Sequence, residues 1–218
     1  MTDMQDLDTR WEKGTNELIS KLLEKGIKFS NLKCLEIFGR DGTWHVSIFA
    51  KLVKSMQIWE IDEKWKAELQ KNFPESDIKI LDSIKTIKNN LELPKVDILL
   101  IDNPMNLYGN ENSQEKKYCE HFDMIEEIKK FCNKKILIIF NVNRHPFNYN
   151  LNPEWRKRRE EFYMNSETDN LSITFLHKFY EQLFEKLGFN IIFKINVTRV
   201  FFKKIDMTHY FAYYLELK

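Results

Sequence analysis

Lys33-Cys-Leu-Glu-Ile-Phe-Gly-Arg-Asp-Gly42 and Met56-Gln-Ile-Trp-Glu-Ile-Asp62 read as two strands, the first turning through a pair of glycines into a helix. Glu36 lies inside the apolar part of the first strand. An ionised carboxylate buried there is expensive unless it is paired, so the pattern predicts a ligand that offers hydroxyl or ammonium groups. Gly39 and Gly42 allow the backbone to approach such a ligand, and the helix start presents free N–H groups. Asp62 follows the glycine turn by about 20 residues, the spacing of an acid that holds a ribose diol. A nucleoside-containing cofactor is the expectation.

Outward from these segments, strand and helix signals alternate. A helix over about 8–25 carries Leu18, Ile19, Leu22 and Leu23 at helical spacing and stops at Gly26. After the strands at 33–38 and 56–61, with a helix at 43–54 between them, a further helix runs to Phe73-Pro74. A third strand, 77–81, ends on Asp82 and Ser83. The fourth, Val96-Asp-Ile-Leu-Leu-Ile101, ends in Asp102-Asn-Pro-Met105, and the fifth, Lys135-Ile-Leu-Ile-Ile-Phe140, in Asn141-Val-Asn143, with a helix at 118–131 between. Such alternation predicts a parallel sheet with helices on both faces. Residues 144–171 carry no strand signal, and a helix at 172–187 stops at Gly188. The last two strands, 190–197 and 209–217, are too closely linked for a crossover helix and predict an antiparallel hairpin. The expected fold is α/β: a Rossmann-like, seven-stranded, mostly parallel sheet closing on a C-terminal hairpin, in a single domain over 1–218.

The composition, 43% hydrophobic and 31% charged over 218 residues, is that of a globular protein. A net charge of +1 points to no nucleic-acid or acidic partner. Three cysteines, odd in number and without metal-site spacing, indicate neither a disulfide framework nor zinc. Met1-Thr-Asp-Met-Gln-Asp-Leu-Asp8 is acidic and polar, unlike a signal or transit peptide, and no apolar run has the length of a membrane span. A cytoplasmic protein with no membrane partner is expected; oligomeric state is not legible.

The alternating strands and closing hairpin, together with Leu35-Glu36-Ile37, Gly39 and Gly42, resemble the class I S-adenosylmethionine-dependent methyltransferases from about residue 30 to the end. Phe38 and Arg40 stand where that family commonly has small residues. The resemblance implies S-adenosylmethionine as cofactor. Glu36 and the turn Gly39, Asp41, Gly42 would lie beneath the methionine portion, and Asp62 would hold the ribose, with Glu60 a second candidate. Asp82 and Ser83 would lie near the adenine, and Asp102 beside the transferred methyl. The implied reaction is methylation of an oxygen or nitrogen on a small or modified metabolite. A nicotinamide-binding Rossmann domain would want a third glycine and no acid in its first strand. A binding module without catalysis and a nucleic-acid methyltransferase are the remaining alternatives.

Asp102-Asn103-Pro104 is similar to the Asp/Asn-Pro-Pro-Tyr/Phe of amino-methyltransferases, but the second proline and the aromatic are missing. A metal between Asp102 and Asn141 or Asn143 would suit a hard cation, yet the fifth strand supplies no aspartate, so no metal is expected. His121 is in line with Met124, Ile125, Ile128 and Cys132; with Asp102 it is the candidate for positioning the acceptor and taking its proton, as a general base near neutral pH, the alternative being a hydrogen-bonded core histidine. His45, in the first turn after the glycines, is a candidate pocket wall. In Trp155-Arg-Lys-Arg-Arg159 the cations are balanced by Glu154, Glu160, Glu161, Glu167 and Asp169, which reads as a solvated helix with internal ion pairs. The long stretch 143–171 is expected to cover the acceptor pocket, with Asn103, His145, Trp155 and Arg159 as candidate acceptor contacts.

Overall fold

The computed structural model describes residues 5–90, 92–102, 107–108, 117–118, 121–145, 153–202 and 205–218. In chain order the elements are α1 (Gln5–Glu24), β1 (Lys33–Glu36), α2 (His45–Leu52), β2 (Ser55–Glu60), α3 (Lys66–Asn72), β3 (Asp77–Ile80), α4 (Ser83–Asn89) and β4 (Ile98–Ile101). The short strands β5 (Leu107–Tyr108) and β6 (Lys117–Tyr118) follow, then α5 (Phe122–Ile125), β7 (Lys135–Asn143), α6 (Pro153–Tyr163), α7 (Ile173–Lys186), β8 (Phe189–Phe202) and β9 (Ile205–Leu217).

Seven strands form one sheet in the order β3-β2-β1-β4-β7-β9-β8. The pairs from β3 to β7 are parallel, and β9 runs antiparallel to both β7 and β8. β4 is buried at every position, as befits a central parallel strand covered on both faces. Side chains alternate between two cores. Leu35 and Ile37 of the first strand segment join Ile125, Tyr180 and Phe184 on the face covered by α4, α5 and α7. Cys34 joins Leu18, Leu22, Phe49 and Leu69 on the face covered by α1, α2 and α3. Alternation therefore aims Glu36 at the second of these faces.

The fold matches the expected class, and the departures from the expected boundaries have local causes. In place of one helix over 118–131 the chain has β6, the four-residue α5 and a 3-10 turn at Ile128–Phe131. At about 100° per residue, a single straight helix would aim Phe122 away from the stripe made by Met124, Ile125 and Ile128. The break buries all of them. In α1, Leu18 and Leu22 are buried but Leu23 points to solvent.

The hairpin strands are also longer than expected, because Val197-Thr-Arg-Val-Phe-Phe202 is β-branched and aromatic. Register shifts interrupt the ladder at Thr198/Val200 and Val200/Phe201, and such bulges bend a strand. α1 lies across this bend at Gly14. A Cβ there would stand 2.5 Å from the carbonyl oxygen of Thr198 and 2.8 Å from that of Arg199. No described helix is long and apolar enough to cross a membrane.

Candidate functional site

The glycine turn is shaped by the chain itself. The Gly39 N–H donates to the Trp59 carbonyl at 2.8 Å, and a Cβ on Gly39 would meet Ile58 Cγ2 at 2.4 Å. Arg40 and Gly42 both adopt positive φ, 47° and 70°, and a Cβ on Gly42 would meet the Phe73 ring at 2.2 Å. Asp41 closes the turn locally, its Oδ1 accepting from the Thr43 N–H at 3.1 Å and hydroxyl at 2.8 Å. Glu60 ties the turn to β2, since Oε2 accepts from the Arg40 N–H at 2.6 Å and Oε1 from the Asp62 N–H at 2.7 Å. Burial raises the Glu60 carboxyl, against the pull of those N–H groups.

Asp62 follows directly. Its Oδ1 accepts from the Lys64 N–H at 3.2 Å and caps the 3-10 turn Glu63–Trp65. Its Oδ2 is buried and accepts no hydrogen bond among the described residues, with Lys64 Nζ 3.5 Å away. Lys64 and Arg40 both approach the Trp65 ring, at 4.7 and 5.7 Å from its centre. Asp82 caps α4 through the Lys85 N–H at 2.8 Å, and the buried Ser83 hydroxyl donates to the Ile37 carbonyl at 2.6 Å. These two residues therefore pin α4 against the end of β1.

The centre of the site is a buried chain of polar side chains on the α1–α3 face. Glu36 accepts from the Phe38 N–H at 2.9 Å through Oε1, and its Oε2 lies 2.6 Å from His45 Nε2. His45 Nδ1 is 2.8 Å from Asp102 Oδ2. The same oxygen accepts from Arg199 Nη2 at 2.8 Å and Nε at 3.1 Å, and from the Tyr210 hydroxyl at 3.2 Å. Thr15 of α1 reaches the Tyr210 hydroxyl at 3.5 Å. Glu36 is 0% exposed, and His45, Asp102, Arg199 and Tyr210 are at most 4% exposed. Asp102 Oδ1, also buried, accepts nothing among the described residues.

Electrostatics follow from this packing. Burial alone would lower His45, but Asp102 and Glu36 on either side push it up to about 9. Burial works against the Asp102 carboxylate, yet Arg199 and His45 hold it down to about 2. Burial raises Glu36 against the pull of His45. The Arg199 guanidinium also stands 5.4 Å from the centre of the Trp44 ring and 5.3 Å from that of Tyr210, within cation–π range.

Other predicted site residues lie elsewhere. His121 is fully buried, with Nδ1 3.1 Å from the Asn141 carbonyl and Nε2 against the Tyr180 hydroxyl, which meets that of Tyr163 at 2.9 Å. Phe122, Phe140 and Phe162 enclose its ring. Burial drives its pKa down to about 3. Phe140 and Tyr180 belong to the opposite core from Tyr210, so the structure does not bring His121 to Asp102. Trp155 and Arg159 are buried too. Arg159 Nη2 donates to the carbonyls of Asn143 at 2.7 Å and Thr168 at 3.4 Å, fastening α6 to the end of β7. Arg144 and Leu171 bond to each other's backbone, closing the base of the excursion between them. His145 is half-buried, and Asn103 lies outside the described residues.

Sequence reasoning passed over Arg199 and Tyr210. The signal was present: Arg199 interrupts an apolar, β-branched run much as Glu36 does.

No family model and no curated protein matches the sequence. Solved structures do resemble the fold. Magnesium protoporphyrin IX methyltransferase from Synechocystis PCC 6803, solved with bound SAH, gives a TM-score of 0.55 at 13% identity, over 96% of this chain and 85% of that one. The N-methyltransferase NodS from Bradyrhizobium japonicum WM9, in complex with S-adenosyl-L-homocysteine, gives 0.53 at 10% identity, over 91% and 86%. The ribosomal protein L11 methylase from Lactobacillus delbrueckii subsp. bulgaricus gives 0.52 at 13% identity, over 94% and 79%. Identities this low speak for architecture alone, and in architecture the chain has the class I S-adenosylmethionine-dependent methyltransferase fold.

Proposed function

We propose that the protein is an S-adenosylmethionine-dependent methyltransferase acting on an oxygen or nitrogen of a small acceptor. The observation that carries this reading is the buried Oδ2 of Asp62 at the carboxyl end of β2, beside the glycine turn, which accepts no hydrogen bond among the described residues and has only the Lys64 ammonium 3.5 Å away. A buried acceptor left unsatisfied costs about 1–3 kcal/mol, and a ribose hydroxyl would satisfy it. The residues at this nucleoside end fit the cofactor. Asp62 would hold the ribose, the Glu60-braced turn would support it, and Asp82, at the start of α4, would line the adenine side. The cofactor supplies an electrophilic methyl group on sulfur.

Asp102 orients the acceptor. Ionised through Arg199 and His45, it presents Oδ1 to an O–H or N–H, and holding a nucleophile in line is the main task in such a transfer. With its pKa near 2 it fixes the direction of that bond, and the proton that the acceptor gives up passes to water and does not stay on Asp102. His121, closed into the aromatic core, contributes packing in this reading. The described part of 143–171 is anchored through Arg159 and the Arg144–Leu171 pair, a base from which the segment would shape the acceptor side.

Calorimetry with S-adenosylhomocysteine tests the reading. Binding is expected, and Asp62→Ala should weaken it by about 1.5–3 kcal/mol, the value of hydrogen bonds to a charged acceptor. Absence of binding at millimolar ligand by the folded protein would end the proposal. A second reading, a nucleoside-binding module without transfer, is favoured by the pairing of Glu36 with His45. Methyl transfer from a labelled donor to any acceptor would dismiss it.

A further inference from the structure

We propose that His45 occupies the subsite into which the amino-acid ammonium of the cofactor would otherwise fit, so that the protein recognises its ligand by nucleoside and thioether and gains little from the amino-acid tail. This rests on the cofactor reading above and concerns how that same site selects its ligand.

The subsite is set by Glu36. An acid in the first strand, facing the carboxyl end of the sheet, is a natural acceptor for an ammonium group, and here both of its oxygens are occupied. Oε1 is used by the Phe38 N–H at 2.9 Å and Oε2 by His45 Nε2 at 2.6 Å. The imidazole is a bridge as well as a cap, because its second nitrogen lies 2.8 Å from Asp102. A positively charged ring between two carboxylates satisfies the electrostatic demand that an ammonium would meet.

His45 is held there by its surroundings. It is the first residue of α2, 4% exposed, and meets the rings of Phe49 and Tyr210 edge-on at 6.4 and 6.2 Å. Turning it out would leave two buried carboxylates facing each other, which is strongly unfavourable. The remaining cation of the cluster, Arg199, is committed to Asp102 through two nitrogens. A tail entering this end would have to break existing ion pairs for each one it formed, and such an exchange leaves little net affinity.

The test compares S-adenosylhomocysteine with 5′-deoxy-5′-methylthioadenosine, which keeps the nucleoside and thioether but lacks the amino-acid tail. A charge-assisted hydrogen bond to a buried carboxylate ordinarily contributes about tenfold or more in affinity. By calorimetry at neutral pH, the wild-type protein is expected to bind the two ligands within about fivefold of each other. A preference for the homocysteine compound above that limit overturns the inference and leaves the methyltransferase reading standing. Failure of both ligands to bind overturns the two together. In His45→Ala the freed Glu36 should raise the preference past the same limit; an unchanged ratio in a folded variant also overturns the inference. Should that variant fail to fold, the wild-type comparison decides alone.

Discussion

Replacing Arg199 with methionine removes one member of the buried chain while keeping an unbranched apolar side chain in its place. The guanidinium provides two of the hydrogen bonds to Asp102 Oδ2. His45 and Tyr210 remain as partners of that oxygen, so the carboxylate is weakened and not wholly abandoned. Breaking a buried ion pair on one side destabilises by about 3–5 kcal/mol, and the cation–π contacts of the guanidinium with Trp44 and Tyr210 add about 0.5–2 kcal/mol. A loss of about 3–5 kcal/mol is therefore expected for Arg199→Met, since the surviving partners offset the cation–π contribution. Urea denaturation followed by circular dichroism measures it, with an unchanged m-value showing that stability alone has moved. The loss should be nearly the same at low and high salt, because a buried pair is poorly screened. Asp102→Leu combined with Arg199→Met should recover much of the stability, since an apolar replacement of the whole pair is often neutral. A loss below about 1 kcal/mol, the scale of an exposed ion pair, would refute the buried-network account.

Stability should pass through a maximum in pH set by opposed histidines. His45, raised from 6.5 to about 9 in the folded chain, contributes fully below pH 6.5, and its contribution is lost as pH rises through 9. His121, lowered from 6.5 to about 3, acts the other way, and stability falls as pH drops from 6.5 towards 3. Denaturant midpoints across this range should show the fall on both sides, and the alkaline fall should flatten in His45→Gln; a wild-type profile rising steadily to pH 9 would contradict the assignment. Gly14→Ala should destabilise by about 1–3 kcal/mol, the usual range for overpacking, although alanine is the better helix former. Thermal unfolding at or above the wild-type midpoint would show that α1 does not rest on β8 as described.

The central strands were legible because they obey simple rules. Ile98–Ile101 and Ile136–Phe140 are apolar runs of strand length bounded by polar residues, the pattern of a strand buried on both faces. The break within 118–131 is not legible in the sequence, because periodicity in Met124, Ile125 and Ile128 hides the phase error at Phe122. The acids of the site announced themselves, Glu36 inside an apolar strand and Asp102 directly after one. Their partners were harder to read. Arg199 reaches Asp102 across 97 positions of sequence, and no local pattern encodes such a contact. His121 shows the converse limit: helical spacing says that a side chain faces inward, but not whether it meets a ligand or only other side chains.

Gly39 and Gly42 answer to the core as much as to any ligand. A Cβ at either position would collide with Ile58 or Phe73, which belong to the hydrophobic core. A chain of this fold with no affinity for a nucleoside would still need both glycines in order to fold. Both glycines thus serve the architecture first, and a site is set apart by side chains that the core could spare, Asp62 foremost.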